Sequence, residues 1–188
     1  MRIPSRMAAI GAGALALAFA LAFGAAPATA HAGTPEYTNL DAASAAARGG
    51  GLWLSVDAKA DIPRFPDAYI DSVPVFGYAW ADLDTGKAVV VTIHPNVPKD
   101  AHKQPDTWHL HFVTLASGTA ASNFCIASLA GVNGGIQIGG DRLAVKVPAN
   151  RVDIGAAALD VAASFEVHPD SGCAATGLGV VLLHTAGL

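Results

Sequence analysis

The sequence predicts an all-β fold: a single antiparallel β-sandwich with a short N-terminal helix, with a closed barrel as the alternative architecture. Seven or more short apolar segments are separated by turns rich in glycine and proline, a pattern typical of sandwiches and barrels. Thirteen of the fifteen acidic residues are aspartate, which favours turns over helix interiors. Only one segment, close to the N-terminus, has the composition and boundary residues of a helix.

Residues 1–30 have the layout of a cleavable signal peptide. Arg2 and Arg6 precede an apolar stretch over residues 7–23, and Ala-Thr-Ala at 28–30 offers a cleavage site between small residues. The apolar stretch is shorter than the roughly 20 residues of a membrane-spanning helix. We therefore expect an exported protein, periplasmic or secreted, that keeps no stable membrane anchor after cleavage.

The remaining chain divides into two predicted parts. Residues 31–51 are expected to form a flexible lead with one short helix from Asn39 to Arg48, which is rich in alanine and is followed by a joint of three glycines at 49–51. Residues 52–188 are expected to form the β-sandwich domain.

The clearest element of that domain is a β-hairpin. Val75 to Asp82 is rich in aromatic residues, and Lys87 to His94 is rich in valine. Between them Gly86 supplies the conformational freedom that a tight turn requires.

The charge of the mature chain argues against two kinds of partner. The 158 residues from position 31 onward contain nine basic and fifteen acidic residues, a net charge of −6. Such an acidic domain is unsuited to nucleic acid and to anionic membranes.

The chain also lacks a P-loop, a dinucleotide-binding glycine motif, an H-E-x-x-H motif and an EF-hand loop. The sequence therefore identifies neither a substrate nor a partner.

The two cysteines, Cys125 and Cys173, are predicted to form a disulfide bond. Exported proteins mature in an oxidising compartment, where an even pair of cysteines usually becomes oxidised. The alternative is that both act as thiolate ligands of a metal ion.

The most informative functional pattern is His109-Leu110-His111 on a predicted strand from Thr107 to Leu115. Residues two apart on a strand share a face, with Cα atoms roughly 6.5 Å apart, so both imidazoles can bind one metal ion. Trp108, Leu110 and Phe112 form the opposite, core-facing side. Alternatively, both histidines face solvent, or one of them hydrogen-bonds a backbone group in a second packed layer. A copper or zinc site needs further ligands, and the candidates are His94, His168, His184 and Asp106.

The cleavage position decides whether a second copper site exists. Cleavage after Ala30 would leave His31 as the first residue, and its α-amine and imidazole can chelate copper together. That arrangement resembles the N-terminal copper site of periplasmic copper carriers and of polysaccharide monooxygenases. Cleavage after Ala32 would leave Gly33 first and remove this site.

Three function classes follow from these patterns. The sequence favours a non-enzymatic interaction or envelope domain. The alternative is an exported protein that binds copper or zinc through His109 and His111. The third class is a metal-dependent oxidative or hydrolytic enzyme. Ser164, Glu166 and His168 share a strand face, but neighbouring positions on one strand rarely give a nucleophile and its base the geometry for attack, so no catalytic residue is assigned.

Overall fold

The structure, a computed structural model, describes residues 33–95 and 106–188. The predicted signal peptide, residue His31 and most of the loop between His94 and Asp106 lie outside the described residues. Within the described ranges the chain is nearly all β, and two antiparallel sheets form a sandwich-like fold, as predicted. None of the helices in these ranges is long and apolar enough to cross a membrane.

Ten strands make up the two sheets of the described chain. The first sheet has the order β1-β2-β8-β7, and the second has the order β10-β6-β5-β4-β3-β9. The second sheet closes on itself because β10 pairs with both β9 and β6. The strands are β1 Leu40–Arg48, β2 Gly51–Ala58, β3 Val75–Asp82, β4 Lys87–Ile93, β5 His109–Ser117, β6 Phe124–Val132, β7 Gly135–Gly139, β8 Arg142–Pro148, β9 Val161–Pro169 and β10 Leu178–Gly187, and short 3-10 helices cover Glu36–Thr38, Ile70–Ser72, Ala149–Arg151 and Ala156–Ala158.

The predicted helix from Asn39 to Arg48 is wrong. This segment is strand β1, which pairs with β2 from Leu40 to Arg48. The alanines and boundary residues of this segment favour a helix, but intrinsic propensity is a weak preference that pairing with a neighbouring strand overrides. The glycines form a hairpin turn: Gly49 and Gly50 have φ values of 55° and 71°, both in the left-handed region that a tight two-residue turn requires.

The β3–β4 hairpin and the disulfide bond are both present. The turn between the strands uses Gly86 at a φ of 68°. Cys125 on β6 is bonded to Cys173 in the loop before β10. A disulfide bond is compatible with an exported protein.

Both faces of strands β3 and β4 are buried in the closed sheet. Between the two sheets lies a large apolar cluster that contains the fully buried Trp80 of β3. Along β4, Val89 and Val91 belong to this cluster, whereas Val90 belongs to a second cluster with Val113 and Phe165. Since successive side chains of a strand point to opposite faces, the second cluster occupies the other face of the closed sheet. This arrangement positions the candidate site.

Candidate metal centre

Three buried histidines lie together at one end of β4 and β5. His109 and His111 belong to β5, and His94 directly follows β4. Their exposed fractions are 5% for His94, 4% for His109 and 5% for His111. One nitrogen atom from each ring lies within 4.8 Å of a nitrogen atom of the other two.

The antiparallel register of β4 and β5 explains why these residues meet. Thr92 pairs with His109, and Val90 pairs with His111. His94 lies two positions beyond Thr92, so it shares the face of Thr92 and is next to the start of β5. The ring centroids are 4.5 Å apart for His94 and His109, and 4.9 Å apart for His109 and His111.

The alternative that both histidines face solvent is wrong, because His109 and His111 are buried. Val90, the register partner of His111, belongs to the second apolar cluster, and so does Val113, which shares a face with His111. The opposite face of β5 carries Leu110, which is 2% exposed. The alternation in the sequence distinguishes two faces, but it does not reveal that a closing sheet buries both.

Hydrogen bonds define the protonation of the His109 ring. Its Nδ1 atom lies 2.8 Å from the backbone carbonyl oxygen of Thr107, as expected if one histidine bonds a backbone group. A carbonyl only accepts, so the Nδ1 atom of His109 carries a proton and donates it. In the neutral ring the Nε2 atom then has a lone pair. In this form the ring can accept the N–H of His94 Nε2, and the N···N distance is 2.7 Å.

This orientation is the one that a metal-binding histidine adopts. Such a ring coordinates through one nitrogen and donates the other N–H to a carbonyl or carboxylate, which fixes its tautomer and direction. Two imidazole nitrogens on one tetrahedral zinc ion lie about 3.3 Å apart, given Zn–N bonds of about 2.0–2.1 Å. The Nε2 atoms of His94 and His109 would therefore move apart only slightly from their 2.7 Å separation. Neutral imidazoles suit zinc, copper, nickel and iron.

His168 does not join the histidine cluster. It lies on the face of β9 opposite Phe165 and Val167, and its Nε2 atom is 2.6 Å from the carboxylate of Glu166. Glu166 also accepts a hydrogen bond from the hydroxyl of Tyr69. Burial, and then this hydrogen bond, raise the pKa of Tyr69 well above its usual value, so that hydroxyl stays a donor. His168 thus belongs to a separate hydrogen-bond network.

The strand positions Ser164, Glu166 and His168 do not form a catalytic triad. The buried Ser164 hydroxyl donates to the backbone carbonyl of Thr38. In a catalytic triad the histidine lies between the nucleophile and the carboxylate and hydrogen-bonds both. Here His168 contacts the Glu166 carboxylate, while the Ser164 hydroxyl is bonded to a backbone carbonyl instead of to His168.

The other candidate ligands lie apart from the cluster or outside the described residues. His184 accepts the backbone N–H of Leu40 at its Nδ1 atom, 3.2 Å away, which makes it a hydrogen-bonded sheet residue. Asp106 is exposed. Cys125 and Cys173 are consumed by their disulfide bond. His31 lies outside the described residues.

No sequence motif points to Thr92, which also lies in this region. Thr92, the register partner of His109, is 4% exposed, and its hydroxyl has no hydrogen-bond partner among the described residues. The sequence feature that sets Thr92 apart is its hydroxyl, because every other residue from Ala88 to Ile93 is aliphatic.

Comparison of the chain with protein-family models, with curated proteins and with solved structures finds no match. What the histidine cluster does must therefore be inferred from its own geometry and donor atoms.

Proposed function

We propose that this is an exported protein that binds one copper or zinc ion through His94, His109 and His111. The observation that carries the proposal is the buried convergence of three imidazoles, with a nitrogen atom of each within 4.8 Å of the others. Export is proposed from the signal-peptide pattern of residues 1–30.

The apolar surroundings of the three histidines support a bound ion. The neighbouring inward positions Val90 and Val113 are aliphatic, so the fold itself does not require histidine on this face. Three imidazoles with nitrogen atoms within 4.8 Å of one another also repel each other if two become protonated. A metal ion stabilises all three in their neutral form.

The donor set supports copper and zinc over harder ions. The cluster offers only nitrogen donors, and no carboxylate or thiolate of the described residues belongs to it. Imidazole nitrogen is a good ligand for both metals, and the intrinsic affinity order places Cu²⁺ above Zn²⁺. The interaction or envelope domain that the sequence favours stays a prediction, because no contact of the described chain bears on it.

Calorimetric titration with zinc and copper ions tests the proposal. We expect one ion per chain, and we expect His109→Gln and His111→Gln each to weaken binding by about 100-fold or more, since even the loss of an outer hydrogen-bond partner costs about 10–100-fold. His168→Gln is the matched control, because it removes a histidine that lies outside the cluster and should leave affinity unchanged. Equal loss in the control, or no binding by the unaltered protein, would refute the proposal.

A second preparation separates this site from an N-terminal copper site. A chain that begins at Gly33 lacks His31 but retains all three clustered histidines. We expect it to bind one copper ion with unchanged affinity. Loss of copper binding in this shorter chain would instead assign the site to His31.

A further inference from the structure

Thr92 is an unusual residue for its position. It is the only hydroxyl-bearing residue in β4, it is 4% exposed, and its oxygen atom has no hydrogen-bond partner among the described residues. A buried hydroxyl without a partner lowers stability. Valine has nearly the same shape and occupies the three preceding positions of β4, so packing alone would favour valine here.

The polar side chains next to Thr92 on its face of the sheet are those of the clustered histidines. On β3 its register partner is Gly77, where an added Cβ would lie 2.4 Å from the backbone carbonyl oxygen of Val91 and 2.9 Å from the Phe165 ring, so the nearest side chain there is aromatic. On β5 its register partner is His109, and Cβ atoms of such pairs lie about 4.5–5.5 Å apart. His94 shares the same face two positions along. The Thr92 side chain therefore lies beside the imidazoles that would hold the ion.

Three histidine ligands leave one position of a tetrahedral ion open. In sites of this kind the fourth position holds water or a substrate atom. A threonine hydroxyl can both donate and accept a hydrogen bond, so it can orient either a bound water or a small anion. We infer that Thr92 is a positioning residue that hydrogen-bonds an exchangeable water or small anion on the metal ion, which makes the site open to exogenous ligands. This inference rests on the proposed function.

Azide binding to the Co²⁺-loaded or Cu²⁺-loaded protein, followed by visible absorption, tests the role of Thr92. Loss of one neutral hydrogen bond corresponds to about a 3–10-fold change in affinity. We expect Thr92→Val to bind one metal ion, as the unaltered protein does, and to weaken azide binding by that factor. Thr92→Ser, which restores a hydroxyl, should bind azide nearly as well as the unaltered protein. Thr185→Val, which alters an exposed threonine on β10, is the matched control.

Each outcome has a distinct meaning. Failure of the unaltered protein to bind metal refutes the proposed function and this inference together. Metal binding without any azide-induced spectral change shows a closed site and refutes the inference alone. The inference is also refuted if Thr92→Val matches the unaltered protein in azide affinity, or if Thr92→Ser is as weak as the valine variant. Should Thr92→Val fail to fold, Thr92→Ala takes its place, because it also removes the hydroxyl and is expected to weaken azide binding relative to Thr92→Ser; equal azide affinity of these two variants refutes the inference.

Discussion

His109 is held by hydrogen bonds at both nitrogen atoms of its ring. The Thr107 carbonyl accepts from Nδ1, and Nε2 shares a hydrogen bond with Nε2 of His94. The sequence predicts that His109 and His111 share a face, because that depends only on the two-residue period of a strand. The sequence does not show that His94, and not His168, is the third histidine of the cluster. That depends on the register of β4 against β5 and on which face of β9 points inward.

His184 provides a prediction at the scale of a single hydrogen bond. Burial lowers the pKa of His184, and its Nδ1 atom must be neutral to accept the Leu40 N–H. The fold therefore gains stability from neutral His184 at a pH above the ordinary histidine value of about 6.5. That gain is lost as the pH falls from this value through the lowered pKa of the folded state.

Hydrogen exchange measured against pH tests this expectation. After correction for intrinsic exchange rates, the Leu40 amide should stay protected above about pH 6.5, the ordinary histidine pKa, and should lose protection as the pH falls below it through the lowered pKa of His184. Amides of the β2–β8 ladder serve as the internal control, because no histidine pairs with them. Unchanged protection of Leu40 across this range would contradict the assignment.

At the scale of elements, β1 shows where local preference and tertiary structure disagree. Its alanines favour a helix, but β2 offers a complete hydrogen-bonding edge and the two glycines permit a tight turn that joins the strands. The β3–β4 hairpin was predictable because aromatic and β-branched composition, alternation and turn chemistry all agree there. In β1 these signals conflict, and the pairing energy decides the outcome.

The β1–β2 turn gives the prediction that belongs to this scale. Gly50→Ala places a Cβ on a residue with a φ of 71°, in the left-handed region. The left-handed conformation costs a non-glycine residue about 1–2 kcal/mol. We expect the free energy of unfolding in urea to fall by about that amount. Gly187→Ala is the control, since its φ is not positive and an added Cβ meets no atom within 4 Å. Equal stability of both variants would show that the turn is not strained by alanine.

At the scale of the whole molecule, closure of the six-stranded sheet creates the site. The closed sheet buries the face that carries the histidines, while the four-stranded sheet covers the other face through the large apolar cluster. Sequence patterns report which residues share a face, and closure is a long-range property that no local pattern contains. For this reason the alternation along β5 indicates a possible site, and only the assembled sheet shows that the site is buried.

The disulfide bond stabilises the whole molecule from a place apart from the histidines. Cys125 and Cys173 are 48 residues apart in the chain, and a loop of that length corresponds to about 4 kcal/mol on the chain-entropy model. We expect the Cys125→Ser/Cys173→Ser double variant to lose about that much free energy of unfolding. Metal affinity should be unchanged, because Cys125 pairs with Ala116, five positions along β5 from His111. A parallel loss of metal binding in the folded variant would contradict this separation.

The most direct test of the proposed metal centre is anomalous diffraction from crystals of the protein grown with zinc or copper ions. The three-histidine site predicts one strong anomalous peak about 2.0–2.1 Å from a ring nitrogen of each of His94, His109 and His111. A peak elsewhere, or none at the cluster with the metal present in excess, would contradict metal binding at these histidines.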